Sequence, residues 1–328
     1  MHQRIVKLRF DSGLHLGEAG IGLEGCSICA HSDTLFSGLC NAWASVYEEI
    51  DSLLLEFSDA PTLYLSSAFP FEEKEGATTY YLPKPLLPAR LEGDKERRAG
   101  LGKILKEMEF IPLNLFNQWI QGDSMVLELE ELKGYKEGFK SLFSRYTLPR
   151  VQLDRITSAS GIYHFGLVRF KEGTGLYFVV RFKDEKALSR LQVGLEVLSE
   201  VGLGGERSSG YGRFTFELID EDLPLRKPVN PDAYVTLSLY YPHKEELSIL
   251  KGRIDYELIE RKGWIDSSSI RRGYKRRPCW MFKEGSVFPQ IVKGDIPNVT
   301  PGILENRGDS HKIYRYGLPF LIEAKRQS

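Results

Sequence analysis

The sequence predicts an α+β protein made of two sandwiches, each with helices on one face of an antiparallel sheet. Three observations lead there. The chain has 328 residues, a length that suits about two domains of roughly 100–200 residues each. Hydrophobic residues make up 42% and aromatics 12%, enough for a sizeable core, which excludes general disorder. Short stretches of period-two alternation are interleaved with stretches of helical period, in the order strand–helix–strand, repeated and then begun again.

Residues 5–10 alternate, with Val6, Leu8 and Phe10 on one side and Arg4, Lys7 and Arg9 largely on the other, and read as a strand. Gly13, Gly17, Gly20, Gly22 and Gly25 then break any regular element. His31-Ser32-Asp33-Thr34 offers an N-cap, after which Leu35, Leu39, Trp43, Val46 and Ile50 recur at helical spacing, giving a helix over about 33–56. Residues 63–69 and 80–82 read as strands, the second ended by Pro83, Pro85 and Pro88. From 90 to 160 charged and short hydrophobic segments alternate, which reads as an insertion carrying helix and hairpin. Residues 163–168 and 176–182 look like strands paired around the turn at 171–175. Asp184 caps a helix whose apolar face is Leu188, Leu191, Leu195, Leu198 and Val201, and Gly202 stops it. Phe214, Phe216 and Leu218 alternate in the strand that follows. Residues 220–232, acidic and containing Pro224, Pro228 and Pro231, are the linker. Beyond it, 234–241 reads as a strand, 243–251 as a short helix, and the remainder as strands and turns.

Lys and Arg number 44 against 45 Asp and Glu, a net charge of −1, so the chain lacks the overall basic character of many nucleic-acid binders. A local basic surface remains open. Four cysteines, Cys26, Cys29, Cys40 and Cys279, are too few for a secreted disulfide framework. Cys26-x-x-Cys29 is a tight pair, but the second half of a zinc motif is missing, so the pair is read as small buried residues and no metal or cofactor is expected. The N-terminus opens directly into an alternating segment and no apolar run approaches the ~18 residues of a membrane span, which predicts a cytoplasmic protein with no membrane partner.

The segment 202–213 holds five Gly, two Ser and two Arg within twelve residues. Glycines allow close backbone approach to a ligand, and successive N–H groups can form an anion nest. Ser208, Ser209, Arg207 and Arg213 add phosphate donors. No Gly-Lys-Ser/Thr closes the loop, and it follows a helix and precedes a strand, so it is neither a Walker loop nor a dinucleotide fingerprint. An ordinary glycine-rich connection fits the composition; the function that fits best is binding the backbone of single-stranded RNA or DNA.

This loop, Gly202-Leu203-Gly204-Gly205-Glu206-Arg207-Ser208-Ser209-Gly210-Tyr211-Gly212-Arg213-Phe214, resembles the C-terminal glycine loop of the RAMP proteins (repeat-associated mysterious proteins) of CRISPR systems. Further segments narrow the resemblance: His31-Ser32-Asp33-Thr34-Leu35-Phe36, Tyr81-Leu82-Pro83-Lys84-Pro85, Glu284-Gly285-Ser286-Val287-Phe288 and Tyr314-Arg315-Tyr316-Gly317. Together they resemble the subunit that caps the crRNA 5′ end in type III-A (Csm) effector complexes, over nearly the whole chain, with 90–160 matching least. The resemblance implies two ferredoxin-like (RRM-like) domains with an inserted β-hairpin thumb. The first covers 1–222 with an insertion at about 84–162, and the second covers 230–328. It also implies a non-catalytic subunit of an antiviral ribonucleoprotein. Its partners would be the crRNA 5′ tag, the target RNA duplex near the thumb, the large signature subunit and the backbone RAMP subunit.

The resemblance places RNA contacts at His31, Ser32 and Lys84, at Gly204, Gly205, Arg207, Ser208, Ser209, Gly210, Tyr211, Gly212 and Arg213, and in the thumb at Arg150, Arg155 and Ile156, the last as a wedge beside a displaced base. Arg261, Lys262, Arg271, Arg272, Lys275, Arg276 and Arg277 form a basic cluster interleaved with Trp264, Tyr274 and Trp280, a pattern that suits single-stranded nucleic acid. An exposed charged hairpin fits the same pattern. His31 also raises an alternative, a metal-independent CRISPR RNA-processing endoribonuclease of the same fold, in which a His near the first helix serves as general acid or base.

Overall fold

The computed structural model describes residues 1–17, 22, 24–47, 50–153, 160–267, 273–305 and 311–326. β1 (His2–Phe10) is followed by α1 (Ser32–Ala44), α2 (Ile50–Asp59), β2 (Leu63–Leu65), β3 (Phe69–Lys74) and β4 (Ala77–Pro83). Then come α3 (Lys95–Glu107), β5 (Phe110–Pro112), α4 (Leu113–Ile120), α5 (Leu129–Ser141), β6 (Phe143–Leu153) and β7 (Ser160–Phe170). β8 (Thr174–Phe182), α6 (Glu185–Val201) and β9 (Phe214–Ile219) complete the N-terminal part.

These strands form an antiparallel sheet in the order β5-β4-β3-β8-β1-β9, with β2 also on β8. β8 is buried at every position but Arg181, on both of its faces, with β1 paired along one edge and β2 and β3 along the other. A strand buried on both faces reads as a continuous apolar run. That corrects the hairpin expected between 163–168 and 176–182: β7 pairs instead with β6, in unbroken register from Phe143↔Phe170 to Leu153↔Ser160.

The helix expected over 33–56 is two helices, α1 and α2. The strand expected at 63–69 is also split. Ser66 and Ser67 break it, with the Ser66 hydroxyl accepting the Val179 N–H at 2.8 Å and the Ser67 N–H reaching Leu237 O at 2.8 Å. The caps of α6 follow expectation: Asp184 accepts from Ala187 N, and Gly202 ends the helix with φ +91°. Lys7, placed on the polar side of β1, is 5% exposed, because Glu73 pairs with it at 2.5 Å over the Phe71 and Tyr80 rings. The insertion is not a separate body, since β5 extends the main sheet and Leu101, Phe110, Ile111, Phe116 and Trp119 join its core.

The linker 220–232 is strapped down: the Asn117 amide donates to Pro224 O and accepts from Arg226 N, and Leu223 is buried. Beyond it lie β10 (Ala233–Thr236), β11 (Leu258–Arg261), β12 (Cys279–Phe282), β13 (Val287–Phe288), α7 (Gly302–Glu305) and β14 (Leu321–Ala324). β13-β10-β14 form one antiparallel sheet and β11-β12 a separate hairpin.

The C-terminal part is poor in helix among the described residues. The helix expected at 243–251 is two 3-10 turns, Lys244–Glu246 and Ile249–Lys251, and α7 has four residues. The physical reason is Glu246, a buried carboxylate that accepts from Tyr240 Oη, His243 N and Gly294 N and ties the segment down in place of a helical ladder. Both sheets contribute to one core, in which Val235, Tyr316, Phe320 and Ile322 pack with the N-terminal residues. Among the described residues no helix is long and apolar enough to cross a membrane.

Candidate nucleic-acid interface

A cleft of about 1450 Å³ opens between the glycine loop, the start of α1 and the β11–β12 hairpin. One wall is main chain. The loop is drawn back toward β1 by Gly205 N→His15 O and Gly212 N→Gly13 O, and closed on itself by Leu203 N→Gly212 O. At Gly212, φ is +79° and a Cβ would lie 2.1 Å from Leu203 O, so no other residue fits. The result divides the loop. Gly204, Gly205, Arg207 and Ser208 line the cleft, whereas Ser209, Gly210, Tyr211, Gly212 and Arg213 turn away from it. Tyr211 packs edge-on against Phe165, and the Arg150 guanidinium lies over both rings, 5.4 Å from Phe165 and 6.0 Å from Tyr211. Arg150 thus braces the outer half of the β6–β7 hairpin and is absent from the cleft lining. Arg207 does line it, with its guanidinium paired to Asp266.

At the start of α1 the expected cap is corrected. His31 occupies the N-cap position without a side-chain cap bond, and Ser32 and Asp33 are buried. Ser32 has no surface for a ligand: its N–H donates to Ser67 Oγ at 2.8 Å and its hydroxyl accepts from Leu239 N at 3.1 Å. Asp33 accepts two 2.9 Å hydrogen bonds from Arg261 and a third from Arg315. Burial alone would raise its carboxyl, but the two guanidiniums outweigh it and hold Asp33 far below the ordinary carboxylate range. His31 lines the cleft, with Nδ1 2.8 Å from a Glu284 carboxylate oxygen that also accepts from Ser67 Oγ. Burial works against the Glu284 charge as well, and His31 and Ser67 outweigh it, so its carboxyl is lowered. Burial pushes the Cys29 thiol beside it well up.

The opposite wall is side chain. Trp264 and Trp280 line it, 61% and 60% exposed, and Lys275 stands 4.9 Å over the Trp264 ring. Arg276 reaches across to Ser37 Oγ at 2.8 Å, while Arg277 turns away to Asn298 O and Glu305. Lys84 lines the cleft with Nζ on Leu105 O, and burial lowers its pKa. Arg155, Ile156, Arg271 and Arg272 lie outside the described residues. Sequence reasoning missed Lys106, Arg145 and Lys283, which also line the cleft. They sit on α3, on β6 and beside Glu284, and a scattered basic residue carries no local signal. Arg315, within the quoted C-terminal segment, proves to be a buried partner of Asp33.

The model of the CRISPR Csm4 C-terminal domain matches residues 230–324. The CRISPR system Cms protein Csm4 of Mycobacterium tuberculosis (strain H37Rv) is 26% identical over 325 residues, 98% of each chain. In fold, the protein is similar to a chain of the crystal structure of a Csm1–Csm4 cassette in complex with cA4, with a TM-score of 0.64 at 23% identity over 99% of each chain. It is likewise similar to a chain of the Csm3–Csm4 subcomplex of the type III-A CRISPR-Cas interference complex, with a TM-score of 0.62 at 20% identity over 98% of this chain and 99% of that one. The Csm4 protein of Thermococcus onnurineus (strain NA1) is 31% identical over 300 residues, 88% of this chain and 89% of that protein. With that extent of identity, and with the fold shared from end to end, the chain belongs to the Csm4 family of CRISPR proteins.

Proposed function

We propose that the protein is the non-catalytic, RNA-binding subunit of a type III-A interference complex that holds the 5′ repeat tag of the crRNA in its cleft. The observation that carries this is the make-up of the cleft: a main-chain loop for close phosphate approach on one side, and two exposed tryptophans among basic residues on the other. Unstacked bases find faces on Trp264 and Trp280 while the strand's phosphates meet Gly204, Gly205, Ser208, Lys84 and Lys262.

The N-terminal part, 1–222, is read as a ferredoxin-like domain. The order β9-β1-β8-β3 with α1 and α6 as crossovers supports this. The β6–β7 hairpin is the candidate thumb. Val151 and Ile162 face each other across it, 60% and 70% exposed, which supports an apolar wedge toward a crRNA–target duplex. Relatives occur in a Csm1–Csm4 cassette and a Csm3–Csm4 subcomplex, which supports a large signature subunit and a backbone RAMP subunit as partners, with the cytoplasm as location.

The test is co-purification. Tagged protein expressed with its CRISPR locus should bring down sister subunits and RNA of one fixed 5′ end. Purification with subunits but without RNA, or with RNA of random ends, refutes tag binding. Site-specific, metal-independent cutting of repeat RNA that is lost in His31→Ala supports the endoribonuclease instead.

A further inference from the structure

We propose that Cys29, His31 and Glu284 form a binding site for one divalent transition-metal ion, with zinc the ion that suits the donors. The thiol, an imidazole nitrogen and a carboxylate oxygen all lie within 4.8 Å of one another, on residues that are buried or nearly so. Glu284 arrives from the far end of the chain, in the turn between β12 and β13. Ala30 pairs with Ala68 in an isolated antiparallel bridge, so 29–31 is extended, and Cys29 and His31 send their side chains to the same side. Cys26, the other half of the Cys-x-x-Cys, is not part of the group: its sulfur donates to Leu14 O and accepts from Leu16 N, both at 3.3 Å. Ser67 Oγ also donates to the Glu284 carboxylate, the kind of outer support that fixes a ligating group.

One sulfur, one nitrogen and one oxygen suit zinc, whereas magnesium and calcium take oxygen ligands. Three protein donors leave a fourth position. All three residues line the cleft, so that position opens on it, to water or to an anionic oxygen of whatever the cleft holds. Binding exchanges a proton for metal: Cys29 gives up its thiol proton to solvent, and the 2.8 Å His31–Glu284 contact opens as the carboxylate and the neutral imidazole, its proton on the ring nitrogen away from the ion, turn to the metal. The site does not depend on the RNA reading.

The experiment uses the full chain, stripped with a chelator, dialysed, and titrated with cobalt(II) and then zinc(II). One equivalent of cobalt should give a thiolate-to-cobalt charge-transfer band that zinc displaces, that persists in Cys26→Ala and that is lost in Cys29→Ser. A wild-type chain without the band, or a band that survives Cys29→Ser, overturns the proposal. Should Cys29→Ser fail to fold, X-ray absorption at the zinc edge of the wild-type chain decides. One sulfur among nitrogen and oxygen scatterers supports the site; no sulfur, or more than one, overturns it. Glu284→Gln should weaken zinc binding by roughly tenfold or more, and an unchanged affinity removes Glu284 from the site and the proposal with it.

Discussion

The wall built from the glycine loop keeps its shape through main-chain hydrogen bonds, whereas the wall of β11 and β12 keeps its shape through side-chain charge. On the first, Gly205 and Gly212 donate into the backbone of residues 13–15, and a Cβ at Gly212 has nowhere to go. On the second, Arg261 crosses the cleft to a fully enclosed Asp33, joined there by Arg315, and Arg276 crosses to Ser37. The contrast teaches where each wall is fragile. The backbone wall fails when a side chain is added to it; the charged wall fails when a counter-charge is removed. The two tryptophans, exposed in the cleft, are free of both duties.

The largest effect is expected at Asp33. Asp33→Asn leaves two buried guanidiniums without their counter-charge and should cost about 3–5 kcal/mol, read from urea denaturation midpoints. A loss below about 1 kcal/mol would break the contrast. The same pair sets an acid limb. The folded Asp33 carboxyl is depressed, so its stabilisation is whole above the unfolded value of about 3.9 and is lost as pH falls through the folded value. Wild-type stability should therefore fall more steeply with acid than that of Asp33→Asn.

Gly212→Ala should follow, at about 3 kcal/mol, from a strained positive φ together with a main-chain clash. Gly210→Ala is its control: φ is +85°, but nothing lies within 4 Å of the added Cβ, so about 1 kcal/mol is expected. Equal losses at both positions would show that space plays no part.

Trp280→Ala should leave the denaturation midpoint within about 0.5 kcal/mol of wild type, because the ring is exposed. It should weaken binding of single-stranded tag RNA by about 1–3 kcal/mol, read by fluorescence titration. Unchanged affinity would remove the stacking role. The smallest effect is expected at Lys275, where substitution by Ala should reduce the slope of log affinity against log salt by about one.

Local signals carried much of the first wall. Asp184 and Gly202 announced the ends of α6, and the clustered glycines announced a loop, read as one that approaches a ligand closely, whereas Gly204 and Gly212 also bring it close to other backbone. The same signals were silent on which half of the loop faces the cleft, because that depends on residues 13–15 lying alongside. Trp264 and Trp280 could be seen among the basic residues, but the burial of Arg261 and Arg276 could not. Composition counts charges without saying which are already paired. Ser32 and Asp33 had the right residue types for a helix cap and serve other partners.

By itself, the sequence determined the mixed α+β character, the strand–helix alternation, the caps of α6, the position of the glycine loop and the resemblance that names the family. Each of these depends on neighbours within a few residues or on the order of segments. Tertiary structure alone decided the pairing of β7 with β6, the helix-poor C-terminal part, and the meeting of His31 with Glu284. Asp33 finds Arg261 and Arg315 at separations of 228 and 282 residues. Such partners leave no periodicity and no spacing to read, and only the packing of the two sheets into one core brings them together.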